Sequence, residues 1–167
     1  DGSEAMGAQK AKYAQLEAML FDYGVDLILA GHVHNMERSW PLRSNSPLAT
    51  PATTDKPYHN APAPVYVVSG AVGNAEEHDV MSAAVSNWSA WRSMAWGYSH
   101  MVIHNSTHLT FDFQSDSLAG AVIASFVLSK PRPCTFGDKC RNEDHRASTS
   151  ASKQAHSVEV EVEVEVE

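Results

Sequence analysis

Apolar positions near the start of the chain follow a helical period. Between Glu4 and Tyr23 they recur at steps of seven, three, four and three residues, which places them on one face of a helix. Ser3 can cap this helix, and Gly24 predicts its end. The following run, Val25–Ala30, is apolar apart from Asp26 and predicts a strand covered on both faces, as in an α/β layer architecture.

The middle of the chain is polar and rich in proline. Six prolines lie between Ser39 and Pro64, and they exclude a long helix or a central strand, so we expect a long surface loop. Val65–Ser69 then predicts a second buried strand, followed by a flexible turn at Gly70–Asn74. Residues 76–96 mix acidic, small and tryptophan side chains, and we expect a short helix and a loop packed on the core.

Three further apolar segments are separated by turn residues. They are His100–His104, Leu109–Phe113 and Val122–Leu128, and they predict three antiparallel strands. Prolines break the pattern beyond Lys130. We therefore predict one folded domain over residues 1–130 and a low-complexity tail over residues 131–167. In Val158–Glu167 valine alternates with glutamate, and stacked like charges oppose strand pairing, so this tail should be disordered.

Composition and charge narrow the class of protein. The chain has 167 residues and a formal net charge of −8. The terminal repeat supplies five glutamates, and without them the charge would be −3. A mildly acidic body argues against a nucleic-acid-binding surface. No apolar run approaches the roughly 18 residues expected of a membrane span. The opening residues, Asp1–Met6, show no initiator methionine at position 1 and no signal peptide, so we interpret the sequence as a fragment.

Two weak signals bear on the cellular compartment. Cys134 and Cys140 are separated by five residues, a spacing that a small disulfide loop could close, although two reduced thiols fit equally. A zinc knuckle with His145 is a further alternative, but it lacks a convincing fourth ligand. Asn87 and Asn105 begin two sequons, which would accept glycans if the protein enters the secretory route.

The strongest chemical signal is a histidine pair directly after the first strand. His32 and His34 follow Gly31 at the carboxyl end of that strand, where open α/β sheets place groups that bind ligands. Along an extended backbone both rings would share a face, and Gly31 would allow close approach of the backbone. Imidazole suits zinc, iron and manganese. The alternative is a pair of ordinary loop histidines, or buried ones satisfied by carbonyl groups, since a metal site needs at least three protein ligands.

The other histidines give no such signal. We expect those near the antiparallel strands to be structural or solvent-facing and the rest to lie in polar loops or the tail. The first group is His100, His104 and His108; the second is His59, His78, His145 and His156.

The letters around the pair identify a family. Val25–Ser39 closely resembles the last metal-binding motif of the purple acid phosphatases, within the calcineurin-like metallophosphoesterases. Three other segments resemble further family motifs in the same order: Ser3–Met6, Pro64–Asn74, and the stretch from Trp96 to His108. The resemblance covers roughly residues 1–130 and leaves the tail unmatched. Asn35-Met36 replaces the family's commoner Ala-Tyr, and Ala71-Val72 replaces a more glycine-rich turn.

The resemblance implies the fold class α/β (α+β), as the C-terminal half of a four-layer αββα sandwich. It implies two metal ions, Fe with Zn, Mn or Fe, and a metal-bound hydroxide that attacks a phosphate monoester. By position, His32 would ligate the divalent ion and His34 the ferric ion. The family's other ligands and its leaving-group histidine belong upstream of Asp1, so no catalytic residue is assigned. The resemblance, together with the sequons, also implies a secreted protein, or a vacuolar or lysosomal one, and no oligomeric state is predicted.

Three residues are candidates for a supporting role around the ligands. Glu37 and Arg38 follow the histidines and could form a pair that holds the ligands in place and steadies the loop, or an ordinary surface ion pair. Asn74 is a further candidate. Two alternative functions stay open: a phosphodiesterase of the same superfamily, and a non-catalytic remnant, because two imidazoles alone cannot hold a binuclear centre.

Overall fold

The first element is a helix that ends at a glycine. The computed structural model describes residues 13–73 and 77–131, and residues 13–22 are helical. Gly24 adopts a φ of 73°, the Val25 N–H donates to the Leu20 carbonyl at 3.0 Å, and the Gly24 N–H donates to the Phe21 carbonyl at 3.1 Å. These two bonds form a Schellman motif, so the predicted helix end at Gly24 is confirmed.

A mixed four-stranded sheet follows the helix. Its strands are β1 (Leu27–Ala30), β2 (Met36–Ser39), β5 (Val65–Ser69) and β6 (Ser89–Ser93), in the spatial order β1-β5-β2-β6. β1 pairs parallel to β5, whereas β2 pairs antiparallel to both β5 and β6. The chain between β1 and β2 must therefore pass over the carboxyl end of β5.

The three predicted antiparallel strands are confirmed as a second sheet. They are β7 (Gly97–Asn105), β8 (His108–Ser115) and β9 (Ala121–Ser129), in sequence order. A 3-10 turn, Asp116–Leu118, joins β8 to β9. One face of this sheet packs on the four-stranded sheet, and the buried core between them comprises Met36, Val65, Val67, Ala71, Phe111, Phe113, Phe126 and Leu128.

Three expectations differ from the structure. β1 is not covered on both faces, since Leu29 is 52% exposed. The proline-rich stretch is not entirely a surface loop, since Pro41 and Pro64 are fully buried. Residues 77–96 contain no helix; their regular element is β6, which pairs with β2.

The proline-rich stretch also contains a short β-hairpin with a two-residue turn. β3 (Leu42–Arg43) pairs with β4 (Ser46–Pro47), and the turn residues Ser44 and Asn45 have φ values of 50° and 60°. Two consecutive positive φ values are typical of the type I′ turn that matches strand twist. The hairpin is therefore built by local turn chemistry within a segment without apolar alternation.

The described chain is a mixed α/β protein dominated by strands, in agreement with the predicted class. In the part that the structure describes, no helix combines the length and the apolar character that crossing a membrane requires. The predictions for Asn74, for the Cys134–Cys140 disulfide and for the tail from residue 132 onward fall outside the described residues.

Candidate metal-binding loop

The histidine pair lies in a short loop, residues 31–35, at the carboxyl end of β1. The Val33 N–H donates to the Gly31 carbonyl at 2.8 Å, and the Asn35 N–H donates to the Val33 carbonyl at 2.8 Å. Both bonds span three residues, so His32 and His34 each lie at the centre of a γ-turn. The backbone is therefore not extended as expected, because the loop must turn back over β5 to begin an antiparallel strand.

The turn at His32 uses an uncommon backbone conformation. His32 has a φ of 70°, in the left-handed region that few residues other than glycine adopt. Such conformations persist where the surrounding structure holds them, and they cluster at functional sites. The geometry of the loop is thus maintained by contacts outside it.

Gly70, directly after β5, provides one of these contacts. The Gly70 N–H donates to the Asn35 carbonyl at 3.1 Å, and a Cβ atom at Gly70 would lie 2.0 Å from the Val33 carbonyl oxygen. The loop can cross β5 only because residue 70 has no side chain. Gly31, which we expected to allow close approach, has open space where its Cβ would lie.

The two histidines differ in exposure and in contacts. His32 is exposed, whereas only 18% of the His34 side-chain surface is accessible to solvent. The Nδ1 atom of His34 lies 3.0 Å from the Glu77 carbonyl oxygen, which can only accept. Nδ1 therefore carries a proton, and in the neutral ring Nε2 keeps its lone pair. A ligating histidine in a metal site typically makes this bond from its other ring nitrogen.

Two neighbours of Glu77 also contact His34. The His34 N–H donates to Asp79 Oδ2 at 2.6 Å, and His78 Nδ1 donates to the His34 carbonyl at 2.8 Å. The His78 ring stacks on Trp96 with 3.6 Å between ring centroids. We predicted His78 only as a loop histidine, and no local pattern in the sequence indicates a contact across more than forty residues.

Glu37 and Arg38 are adjacent on β2, so their side chains leave opposite faces of the sheet. Glu37 Oε1 accepts from Ser89 Oγ at 2.6 Å. The Arg38 guanidinium lies 4.7 Å from the centre of the Phe126 ring and 5.1 Å from that of Tyr58. No ion pair joins Glu37 to Arg38 in the described residues. Their supporting role for the histidine loop stays a prediction.

Burial acts on both members of the Arg38–Tyr58 contact. Desolvation lowers the pKa of Arg38, and the neighbouring Tyr58 partly opposes that change. Desolvation raises the pKa of Tyr58 to about 12, against the opposing effect of the Arg38 charge. Burial thus outweighs the Arg38 charge and keeps the Tyr58 phenol neutral next to the guanidinium.

The remaining candidates lie away from the loop. Asn87 and Asn105 are exposed, and Asn105 Oδ1 accepts from both the N–H and the hydroxyl of Thr107 at 2.8 Å. His100, His104 and His108 are exposed, as expected. A cavity of about 280 Å³ lies next to the Asp26–Lys130 ion pair, before the start of β1, and its lining includes neither loop histidine.

The described residues supply an incomplete set of metal ligands. Imidazole nitrogens suit iron and zinc, and Nε2 of His34, which makes no contact with a polar group in the described part of the chain, fits such a role. However, no group of three or more His, Cys, Asp or Glu side chains that could hold a metal is found in residues 13–73 and 77–131. The histidine loop therefore fits a shared site that needs further donors.

Comparison with known proteins gives consistent results. A family model described as "Iron/zinc purple acid phosphatase-like protein C" matches residues 63–125. "Acid phosphatase type 7" of Danio rerio is 37% identical over 117 residues, which are 70% of this chain and 26% of that protein. "Fe(3+)-Zn(2+) purple acid phosphatase 12" of Arabidopsis thaliana is 33% identical over 113 residues, or 66% of this chain and 24% of that protein.

A solved structure supports the fold. The purple acid phosphatase PPD1 from yellow lupin seeds matches with a TM-score of 0.61 and 24% identity, over 69% of this chain and 19% of the lupin chain. The described strands are thus arranged as in that protein. The chain spans about a quarter of the length of the curated relatives it matches.

Proposed function

Since the chain belongs to the purple acid phosphatase family and corresponds to its C-terminal part, we propose that it supplies the His-x-His ligands of a metal-dependent acid phosphatase. The parent enzyme would hydrolyse phosphate monoesters at a binuclear centre containing Fe with Zn, Mn or Fe. The observation that carries the proposal is the His34 ring, whose Nδ1 is bonded to a carbonyl while Nε2 has no partner among the described residues.

His32 and His34 would hold the two ions, His32 the divalent one and His34 the ferric one. When bound, such a pair of ions lowers the pKa of a water molecule and neutralises phosphate charge. The residues of this chain orient the donors: the γ-turns set the direction of each histidine, and Gly70 supports the loop from below. Further ligands would come from residues that the structure does not describe or that precede this sequence.

Other features of the parent protein are proposed with it. Residues 1–130 would be part of the catalytic domain, and residues 131–167 would form a separate tail. Asn87 and Asn105 would carry glycans in a secreted, vacuolar or lysosomal protein; their exposure supports this. A supporting role of Asn74 for the ligands and a Cys134–Cys140 disulfide complete the proposal.

The test uses the parent protein that contains this chain. We expect two bound metal ions per molecule and faster hydrolysis of p-nitrophenyl phosphate than of bis(p-nitrophenyl) phosphate. His32→Ala and His34→Ala should each lower turnover by about 100-fold or more, since loss of a ligand should cost at least as much as loss of its outer-shell partner. His100→Ala, at an exposed histidine on β7, is the matched control.

Each contrary result has a distinct meaning. A purified parent protein with no bound metal and no phosphatase activity would overturn the proposal. Faster hydrolysis of the diester would replace the monoesterase with a phosphodiesterase of the same superfamily. Full activity in both histidine variants would remove the loop from the site.

A further inference from the structure

Residues Glu77–Asp79 form three hydrogen bonds with His34, one of the two loop histidines. The His34 N–H donates to Asp79 Oδ2, the His34 carbonyl accepts from His78 Nδ1, and His34 Nδ1 donates to the Glu77 carbonyl. The distances are 2.6, 2.8 and 3.0 Å, respectively. Among the contacts of the described residues, Nε2 is the polar atom of His34 that is left for another partner.

We propose that Glu77–Asp79 is a clamp that fixes both the tautomer and the direction of the His34 ring. Asp79 and His78 are its positioning residues: they hold the His34 backbone so that Nδ1 meets the Glu77 carbonyl. The direction of Nε2 then follows, because the other ring nitrogen determines the tautomer. That Nε2 serves a metal ion rests on the proposed function, whereas the tautomer does not.

The clamp is itself anchored to the folded core. His78 stacks on Trp96 at an interplanar angle of 25°, and Trp96 directly precedes β7. The next residue, Gly97, donates its N–H to the Ala71 carbonyl at 2.9 Å, just beyond β5. The contact with His34 is thus linked to both sheets.

The backbone at Glu77 supports a specific role for its carbonyl group. Glu77 has a φ of 66°, a left-handed conformation that is uncommon for glutamate. An uncommon conformation persists only where neighbouring contacts hold it. Here the bonds from His78 and Asp79 to His34 hold the segment, and the Glu77 carbonyl faces the His34 ring.

Nitrogen NMR of the full 167-residue chain without metal tests the clamp directly. At about pH 8.5 imidazoles with an ordinary pKa of about 6.5 are neutral, so ring nitrogen shifts report the tautomer. We expect His34 in the Nδ1–H form, with the exposed His32 as an internal reference. Asp79→Ala and His78→Phe should each raise the Nε2–H fraction of His34 at least severalfold. Phe is chosen because it keeps a ring to stack on Trp96.

Matched controls separate the clamp from general effects. Asp55→Ala removes an exposed carboxylate, and His100→Phe replaces an exposed imidazole; both should leave the His34 tautomer unchanged. Backbone amide spectra verify the fold of each variant. If one clamp variant unfolds, the other variant and the wild-type tautomer still decide the question.

The outcomes discriminate between the two proposals. A wild-type His34 in the Nε2–H form overturns the clamp, and so does an unchanged tautomer in both folded variants. These measurements involve no metal, so they are independent of phosphatase activity. If the clamp is found but the parent protein binds no metal, the proposed function fails. The clamp then still fixes the His34 tautomer, but Nε2 has no metal ion to bind.

Discussion

At the scale of single residues, the histidine loop depends on a position where a side chain is absent. Val33 lies directly over Gly70, and the two backbones approach more closely than any Cβ would permit. The left-handed conformation of His32 is maintained by this crossing and by the bond from Gly70 to Asn35. A residue with no chemical function therefore controls the geometry of two candidate ligands.

Gly70→Ala should destabilise the chain by about 1–3 kcal/mol, as overpacking of a filled site does. The added Cβ would meet backbone atoms of Val33, which cannot move independently of the histidines. Urea unfolding measures the loss, and amide shifts of residues 31–35 report the displacement. Gly31→Ala, with open space around its Cβ, should change stability by no more than about 0.5 kcal/mol. Equal effects at the two positions would contradict this account.

The sequence allowed the candidate ligands to be recognised but not the residues that support their loop. His32 and His34 are recognisable because they follow a strand within a contiguous motif. Gly70 could have been found only if the crossing of β5 were known, and Glu77–Asp79 contacts His34 from over forty residues away. Local spacing carries no information about such contacts, which depend on strand order.

At the scale of elements, the two sheets are joined by a mixed aromatic and cationic contact. Arg38 on β2 lies against Phe126 on β9 and against Tyr58, whose hydroxyl donates to the Ser39 carbonyl at 3.2 Å. A guanidinium over aromatic faces is attracted to them and displaces water. This contact secures β2, which begins directly after the histidine loop.

Stability should fall as the pH rises from about 10 to about 12. The unfolded chain releases the phenol proton of Tyr58 near its ordinary pKa of 10.0, whereas the folded chain retains it up to about 12. The unfolded state then binds fewer protons, so unfolding becomes more favourable with pH. The loss should be about 1–2 kcal/mol, below that of a full two-unit shift, because the ring is partly exposed.

The measurement compares urea unfolding across this pH range in three proteins. Tyr58→Phe should remove this part of the slope, while Tyr98→Phe, at a half-exposed tyrosine of β7, should keep it. An identical slope in wild type and Tyr58→Phe would show that Tyr58 ionises alike in both states.

Elements with their own apolar pattern were predictable, and those created by pairing were not. β5 and the strands β7 to β9 carry runs of valine, isoleucine, leucine and phenylalanine, and all were expected. β6 reads Ser-Ala-Trp-Arg-Ser, which has little strand character. It forms a strand because it pairs with β2 and because Trp91 packs on Phe113, with 4.7 Å between the ring centroids. Tertiary contacts, rather than local propensity, therefore determine this strand.

At the scale of the whole molecule, apolar surface remains uncovered near the candidate site. Leu29 of β1, Val33 of the loop and Val72 beyond β5 are 52%, 42% and 66% exposed. Among the described strands, β1 also lies at the edge of its sheet and pairs on one side only. This exposed edge agrees with a chain that spans about a quarter of its curated relatives.

The isolated 167-residue chain should bind no pair of metal ions tightly and should not hydrolyse phosphate esters. Two imidazoles provide fewer donors than even one stable site requires. Equilibrium dialysis against iron and zinc, followed by elemental analysis, measures binding, and p-nitrophenyl phosphate measures turnover. The parent protein is the positive control. Metal-dependent turnover by this chain alone would refute the prediction, and poor solubility is expected from the exposed edge of β1.

Because the histidine loop passes over β5, the loop can be assembled only after later residues have been synthesised. During translation His32 and His34 emerge from the ribosome before Gly70, and the clamp residues Glu77–Asp79 emerge later still. Until that stretch has emerged, the nascent loop has neither the strand beneath it nor the partners of His34. A metal ion that reached the growing polypeptide would meet an unassembled loop. Under the proposed function, metal binding should therefore be a late event that follows closure of the sheet around residues made afterwards.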